Sequence, residues 1–189
     1  MDEDRPVPWF PAWGVRFPEP VENVFSVVSV VNDRRPSNRW LMIAYEAAAS
    51  EVHLWTAWHA MRGNEESGSM VAKTPDTEFM RLLSGTHQIN RAFERAGVAV
   101  GDETAWVVFL PDFGLGEGFG DVSIPPQTYN DNSEEAIRLI EHLGGSLLAK
   151  RPVPSLAGLE RVGASYPGDP SFPQMEEAFL GHTALSDLR

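Results

Sequence analysis

Apolar and polar positions follow two spacings along the chain, and these spacings predict which segments are helices and which are strands. Residues 14–17 alternate as in a short strand. The β-branched run at 24–31 is typical of a strand by composition alone. Its polar residues nevertheless recur at helical spacing along one stripe: Glu22, Ser26, Ser29 and Asp33. We therefore predict a helix across this run, with Pro20 near its first turn.

The rest of the chain predicts three further strands and four further helices. Apolar runs predict buried strands at 39–46, 77–83 and 105–110. Capping signals predict helices from Ser50 to Arg62, from Thr86 to Ala96, and from a capping box of Asn132 and Glu135 to Leu143. A last helix is expected at 174–180. Gly63 and Gly97 would end the first two of these helices, and residues 63–68 would form a polar loop.

This order of elements predicts an α+β fold. We expect a single two-layer domain in which a small sheet of about four strands packs with helices. The domain is placed at residues 14–145. The proline-rich residues 1–13 are predicted to be an irregular arm, and the proline-punctuated residues 146–189 are predicted to be a C-terminal extension with a last helix.

Composition limits the class of protein. The 189 residues are 42% apolar and include no cysteine, which fits one globular domain without disulfides or thiolate metal sites. No apolar run is long enough to span a membrane, and the acidic residues 2–4 are unlike the start of a signal peptide. We therefore expect a cytoplasmic protein with no membrane partner.

The sequence shows no motif for catalysis, for a metal or for a cofactor. Its five histidines are scattered without metal-ligand spacing: His53, His59, His87, His142 and His182. The glycine-rich residues 113–120 miss the spacing of a nucleotide fingerprint, because the required third glycine would fall at Phe119 or at Asp121. We therefore predict a non-catalytic chain without cofactor or metal.

One short segment carries most of the functional information. Ser84-Gly85-Thr86-His87-Gln88-Ile89 joins a predicted strand to a helix. Gly85 permits a tight turn, and Thr86 can cap the helix. The amides of the next three residues would then point outward, where they favour a phosphate or a carbonyl oxygen.

The helix after this turn is predicted to have two faces. Its inward face would consist of four apolar residues: Ile89, Ala92, Phe93 and Ala96. Its exposed face would be a cationic stripe of His87, Arg91 and Arg95, widened by Arg81 and Lys73. A capped amphipathic helix with solvated arginines remains the alternative. The net charge of −12 restricts any nucleic-acid contact to a local patch.

Two motifs in this region are similar to those of one known family. They are Ser50-Glu51-Val52-His53-Leu54 and Glu78-Phe79-Met80-Arg81-Leu82-Leu83-Ser84-Gly85-Thr86-His87-Gln88-Ile89. They resemble the CGI-type accessory subunit of the KEOPS complex, which binds a kinase and recruits tRNA. Archaeal members of that family have arginine where His87 stands here. The resemblance is good over residues 47–110 and extends loosely over 14–145.

The resemblance implies a subunit that performs no chemistry. Such a subunit sits on the atypical kinase/ATPase of KEOPS and binds the single-stranded 3′ end of tRNA. A threonylcarbamoyl transferase partner then forms threonylcarbamoyladenosine next to the anticodon. By motif or by neighbourhood, the predicted RNA-binding residues are Lys73, Arg81, Ser84, Gly85, Thr86, His87, Gln88, Arg91 and Arg95. The residues predicted to contact a protein partner are Phe113, Leu115 and Phe119.

Two alternatives remain open at this point. A small-molecule-binding or enzymatic domain would place the 113–120 loop over a pocket, beside Asp112, Glu117 and Asp121. A pure scaffold would bind the kinase without touching RNA, which the acidic charge balance favours.

Overall fold

The computed structural model describes residues 9–116 and 122–188, and within them the chain forms four strands and seven α-helices. The strands are β1 (Ala12–Arg16), β2 (Trp40–Ala44), β3 (Thr104–Phe109) and β4 (Ser146–Leu148). The helices are α1 (Val24–Arg34), α2 (Glu51–Ser67), α3 (Pro75–Leu83), α4 (Ile89–Ala96), α5 (Pro126–His142), α6 (Leu156–Arg161) and α7 (Phe172–Ala184). Short 3-10 helices lie at Tyr45–Ala47 and Ser186–Leu188. The predicted α+β fold is confirmed.

The strands form one antiparallel sheet in the order β2-β3-β1-β4. Successive side chains of a strand point to opposite faces, so each central strand contributes to two cores. Ile43 and Trp106 lie in a core shared with α2, α3 and α7. Trp13 and Val107 lie in a second core shared with α5. Helices therefore cover both faces of the sheet, so the domain has three layers and the predicted two-layer arrangement is wrong.

Most predicted elements are confirmed, with ends shifted by a few residues. The strands β1, β2 and β3 correspond to those predicted at 14–17, 39–46 and 105–110. The β-branched run forms helix α1, and its cap is Asn23, whose Oδ1 accepts the N–H of Ser26 at 3.2 Å. Helices α4 and α7 lie where the sequence predicted helices, and Ser50 caps α2 as expected.

The predicted strand at 77–83 is wrong, because these residues belong to helix α3. Pro75 lies in the first turn with Asp76 and Glu78, a combination that favours a helix start. Eight of the nine residues of α3 are buried. A helix surrounded by protein shows no exposed polar stripe, so its sequence looks like that of a buried strand. The fourth strand of the sheet is β4 instead.

The predicted end of α2 at Gly63 is also wrong. The helix continues to Ser67, and Gly68 ends it with a φ of +69°. Ion pairs from Arg62 to Glu65 and Glu66, three and four residues later, stabilise this added stretch. Most of the predicted polar loop at 63–68 is therefore helical.

The predicted capping box at Asn132 lies inside a helix. α5 begins at Pro126, and the Asn132 side-chain amide donates to the carbonyl oxygen of Thr128 at 2.8 Å. Proline in a first turn is a helix start signal of equal quality, and here it prevails.

The residues beyond 145 pack against the rest of the chain. β4 pairs with β1, and α7 contacts α2 and α3. The guanidinium of Arg151 bonds both carboxylate oxygens of Glu51, at 2.6 and 3.0 Å. It also lies 4.8 Å from the ring centre of Trp9 and 5.4 Å from that of Tyr129. This arginine therefore ties the extension to the start of α2.

Candidate functional site

The segment at residues 84–86 is a tight turn between α3 and α4. Gly85 has a φ of +62°, in the left-handed region that favours glycine. The Gly85 N–H donates to Leu82 O at 3.1 Å, and the Thr86 N–H donates to Arg81 O at 3.2 Å. These two bonds make a Schellman motif at the end of α3. Gly85 is thus the residue that ends one helix and redirects the chain into the next.

The start of α4 is partly capped from within this turn. Thr86 Oγ1 accepts the N–H of Gln88 at 3.1 Å. The backbone N–H of Gln88 is therefore already bonded, contrary to the expectation that it would be open to a ligand. The Ala92 N–H bonds to Gln88 O, so the helical ladder begins there, and the first-turn amides precede it.

Three of the predicted cationic residues are exposed: Lys73, His87 and Arg91. The Arg91 Nε donates to the side-chain oxygen of Gln88 at 3.1 Å, which holds Arg91 near the beginning of α4. Arg95 is half-buried, and its Nη1 donates to the carbonyl oxygen of Ser84 at 3.3 Å. The exposed part of the predicted stripe is therefore centred on His87 and Arg91.

Arg81 does not widen this cationic surface, because it is fully buried on α3. Its guanidinium donates to both oxygens of Glu78, at 2.6 and 3.1 Å, and to Asp187 Oδ1 at 2.7 Å. Burial alone would raise the pKa of Glu78, but hydrogen bonds from Arg81 and the Ala72 N–H hold that pKa below its usual value. Arg81 is thus a structural cation, and its predicted exposure is wrong.

Phe93 was predicted to face inward, yet it is 49% exposed. It lies at the rim of an apolar groove of about 380 Å³ between α1, the edge strand β2, α3 and α4. We call this surface the α1–α4 groove and define it by Val27, Val28, Val31, Met42, Met80 and Phe93.

Helix α1 leaves most of its apolar side chains at or near this groove. Only Val31 of its eleven residues is buried, while Phe25 is 78% exposed. The groove was not predicted from the sequence, because the helix prediction for this run rested on its polar stripe and left the apolar positions unassigned. A usable signal was present, since six of the first eight residues of α1 are apolar, more than one buried stripe requires.

The loop after β3 is only partly described. Phe113 and Leu115 are half-buried against the core, and the Phe113 ring lies 5.5 Å from the ring of Trp58. Phe119, Glu117 and Asp121 lie outside the described residues. Their predicted roles, at a partner contact or beside a pocket, stay predictions.

A cavity between the start of α2 and residues 122–124 offers little for catalysis. It has a volume of about 230 Å³ and is lined by Trp55, Val122 and other apolar groups. Its titratable residue, Glu51, already binds Arg151. Across residues 9–116 and 122–188, no three His, Cys, Asp or Glu side chains come together as a metal site. Within the same ranges, no helix is long and apolar enough to cross a membrane.

Comparison with known families places the chain beside proteins that bind a kinase. The family model described as kinase binding protein CGI-121 matches residues 19–142, which include α1 to α5 and therefore both the 84–86 turn and the α1–α4 groove. No curated protein matches the sequence significantly.

Proposed function

Because the chain belongs to the family of kinase-binding proteins CGI-121, we propose that it is a non-catalytic adaptor of the KEOPS complex. It binds the atypical kinase/ATPase subunit and the single-stranded 3′ end of tRNA. In this way it supports the formation of threonylcarbamoyladenosine by the transferase subunit, which it reaches indirectly through the kinase. The proposed location is the cytoplasm.

A single observation carries this proposal: α4 lies between a cationic surface and an apolar groove. Arg91 and Phe93 are two residues apart, which separates them by about 200° around the helix. One side therefore suits a phosphate-bearing ligand, and the other suits an apolar protein surface. A short helix with these two sides can join an RNA to a protein partner.

The RNA side combines charge with backbone donors. Arg91 and His87 are exposed beside the first turn of α4, where the helix dipole and unpaired amides favour a phosphate. Arginine adds a planar fork of donors that matches phosphate oxygens. His87 stands where arginine is usual in the family, and its imidazole lacks the planar fork of donors that matches phosphate oxygens. Arg91 is therefore the main RNA contact in this proposal.

The kinase side is the α1–α4 groove. Val28 and Phe93 are 45% and 49% exposed at its rim. Burying exposed apolar side chains stabilises an interface by about 25 cal/mol per Å² before the costs of association are subtracted. Apolar residues left uncovered next to a groove are a common mark of a protein-binding surface. Phe113, Leu115 and Phe119 remain a second predicted partner contact.

Two substitutions test whether the two sides act separately. Arg91→Glu should weaken binding of a fluorescent tRNA by about tenfold, because it replaces a phosphate donor by a like charge. Its affinity for the purified kinase should stay unchanged. Val28→Asp should reverse the pattern, with about a tenfold loss of kinase affinity and unchanged tRNA binding. Fluorescence anisotropy and isothermal titration calorimetry measure the two affinities.

Matched controls carry the same charge changes at sites away from α4. They are Arg138→Glu on α5 and Val153→Asp in the C-terminal extension, both at exposed positions. Neither control should reproduce the selective losses. Removing the 3′ terminal nucleotides of the tRNA should weaken binding as much as Arg91→Glu does. If neither Arg91→Glu nor the trimming of the tRNA changes the measured affinity, the RNA role is excluded and the chain is a pure scaffold.

A further inference from the structure

The C-terminal extension, residues 146–188 of the described chain, holds all three residues of the 84–86 turn. It does so although the family match ends at residue 142. The extension contacts Gly85 directly. It contacts Ser84 and Thr86 indirectly, each through a different arginine of the matched region.

Gly85 is held directly by His182 of α7. A Cβ at position 85 would lie 2.2 Å from His182 Cδ2 and 2.6 Å from its Nε2, so the imidazole packs against the glycine backbone itself. The ring is fixed in turn, because its Nε2 donates to the carbonyl oxygen of Val162 at 2.8 Å. Helices α6 and α7 together therefore determine the position of this ring.

Thr86 is held through Arg81. The buried Arg81 Nη1 donates to Thr86 O at 3.4 Å, and the same nitrogen donates to Asp187 Oδ1 at 2.7 Å. Asp187 belongs to the 3-10 helix that follows α7. Its side chain is 57% exposed, so this ion pair lies at the protein surface on one side and reaches the turn on the other.

Ser84 is held through Arg95. The Arg95 Nη1 donates to Ser84 O at 3.3 Å. The other face of the same guanidinium lies against Gly163, where a Cβ would come within 2.5 Å of Nη2. Gly163 has a φ of +76°, in the left-handed region that favours glycine. The extension thus covers Arg95 and directs it toward the turn.

We infer that the C-terminal extension is a positioning element for RNA: His182, Asp187 and Gly163 keep the 84–86 turn in the conformation that accepts the tRNA 3′ end. This inference rests on the proposed function. A ligand binds more weakly when its competent conformation is only partly populated, in proportion to that population. Loosening the turn should therefore lower RNA affinity without changing any group that touches RNA.

Asp187→Ala separates positioning from simple electrostatics, because the two effects have opposite signs. Removing a carboxylate from a chain with a net charge of −12 should strengthen RNA binding if only charge matters. Removing the Asp187 contact to Arg81 should weaken RNA binding if positioning matters. Glu177→Ala is the matched control, since Glu177 is an exposed carboxylate on α7 of the same extension.

The experiment measures three quantities for the full chain: affinity for tRNA, affinity for the kinase, and amide hydrogen exchange at residues 84–90. Asp187→Ala should raise the tRNA Kd by about three- to tenfold, as expected if the competent turn falls to a third or a tenth of its population. It should speed hydrogen exchange in the turn and leave kinase affinity unchanged. Glu177→Ala should leave hydrogen exchange and kinase affinity unchanged, and it should not weaken tRNA binding.

The other outcomes are equally informative. Equal or tighter tRNA binding by Asp187→Ala, with Arg91→Glu still defective, would overturn the positioning role and leave the proposed function intact. A parallel loss of tRNA and kinase binding would also overturn it, since the extension would then support the fold in general. A lack of tRNA binding by the wild type would remove the proposed function itself.

Discussion

At the residue scale, buried ionisable groups are kept either charged by an ion pair or neutral by burial. Arg81 and Glu78 are both fully buried and form an ion pair, so each compensates the burial of the other. His53 is the opposite case. Its Nδ1 accepts the N–H of Ala49 at 3.1 Å, which leaves the proton on Nε2, 3.2 Å from Thr183 Oγ1. Burial lowers the pKa of His53 to about 3, so the folded chain keeps this ring neutral.

Stability should therefore decrease as the pH falls from about 6.5 towards 3, because the unfolded chain gains a proton at His53 that the folded chain excludes. At pH 5 this group should lower the free energy of unfolding by about 2 kcal/mol relative to neutral pH. Urea unfolding at pH 5.0 and pH 7.5 measures it. His53→Gln should reduce the difference between the two pH values, while His142→Gln, at an exposed position, should preserve it. An identical pH dependence in His53→Gln would contradict this assignment.

At the element scale, Gly63 and Gly158 both lie inside helices, but for different reasons. Gly63 lies within α2, where an added Cβ would meet only Leu115 Cδ1 at an ordinary 3.8 Å. Gly158 lies within α6, where a Cβ would come within 2.3 Å of Glu46 O. Close packing requires the second glycine, and nothing in the packing requires the first.

Gly63→Ala should therefore stabilise the protein by about 0.5–1 kcal/mol, since alanine loses less backbone entropy in a helix. Gly158→Ala, the same change in another helix, should destabilise it by about 1–3 kcal/mol through overpacking. Thermal and urea unfolding at pH 7.5 compare both variants with the wild type. Destabilisation by Gly63→Ala would contradict the conclusion that nothing in the packing requires this glycine.

Elements with a local signal were predictable from the sequence, and those defined by distant contacts were not. α1 was recognisable because three polar residues of its stripe, Ser26, Ser29 and Asp33, lie within its own eleven positions. The burial of Arg81 depends on Asp187, which is 106 residues away. The exposure of Phe93 depends on which neighbours leave the α1–α4 groove open. The motif around Gly85 was found because its residues are contiguous, whereas its support by the extension is purely tertiary.

At the scale of the whole molecule, arginine serves mainly to hold the fold together. The chain has 15 Lys and Arg residues, of which only Lys73 and Lys150 are lysines. Seven arginines form ion pairs within the described residues: Arg35, Arg39, Arg62, Arg81, Arg138, Arg151 and Arg161. The planar guanidinium suits such paired, partly buried positions better than an ammonium. Within the part of the chain that the structure describes, few cations are therefore available to an RNA.

Binding of tRNA should accordingly depend only weakly on salt. Two or three phosphate contacts to a single strand give a slope of about 1.4–2.1 in a plot of log Kd against log salt concentration. Anisotropy titrations over a range of KCl concentrations measure this slope, and Arg91→Glu should lower it by about 0.7. A slope of about six or more would indicate a broad basic surface, which this acidic chain does not offer.

The two edges of the sheet determine how the chain can meet other proteins. At one edge, β4 spans only three residues, and Pro152, which has no N–H to offer, follows soon after it. At the other edge, both backbone groups of Trp40 are already bonded, its N–H to Ser37 O and its carbonyl oxygen to Arg35. Short or occupied edges discourage the addition of a foreign strand. We therefore expect neighbouring chains to contact this protein mainly through its side chains and not by adding a strand at either edge of its sheet.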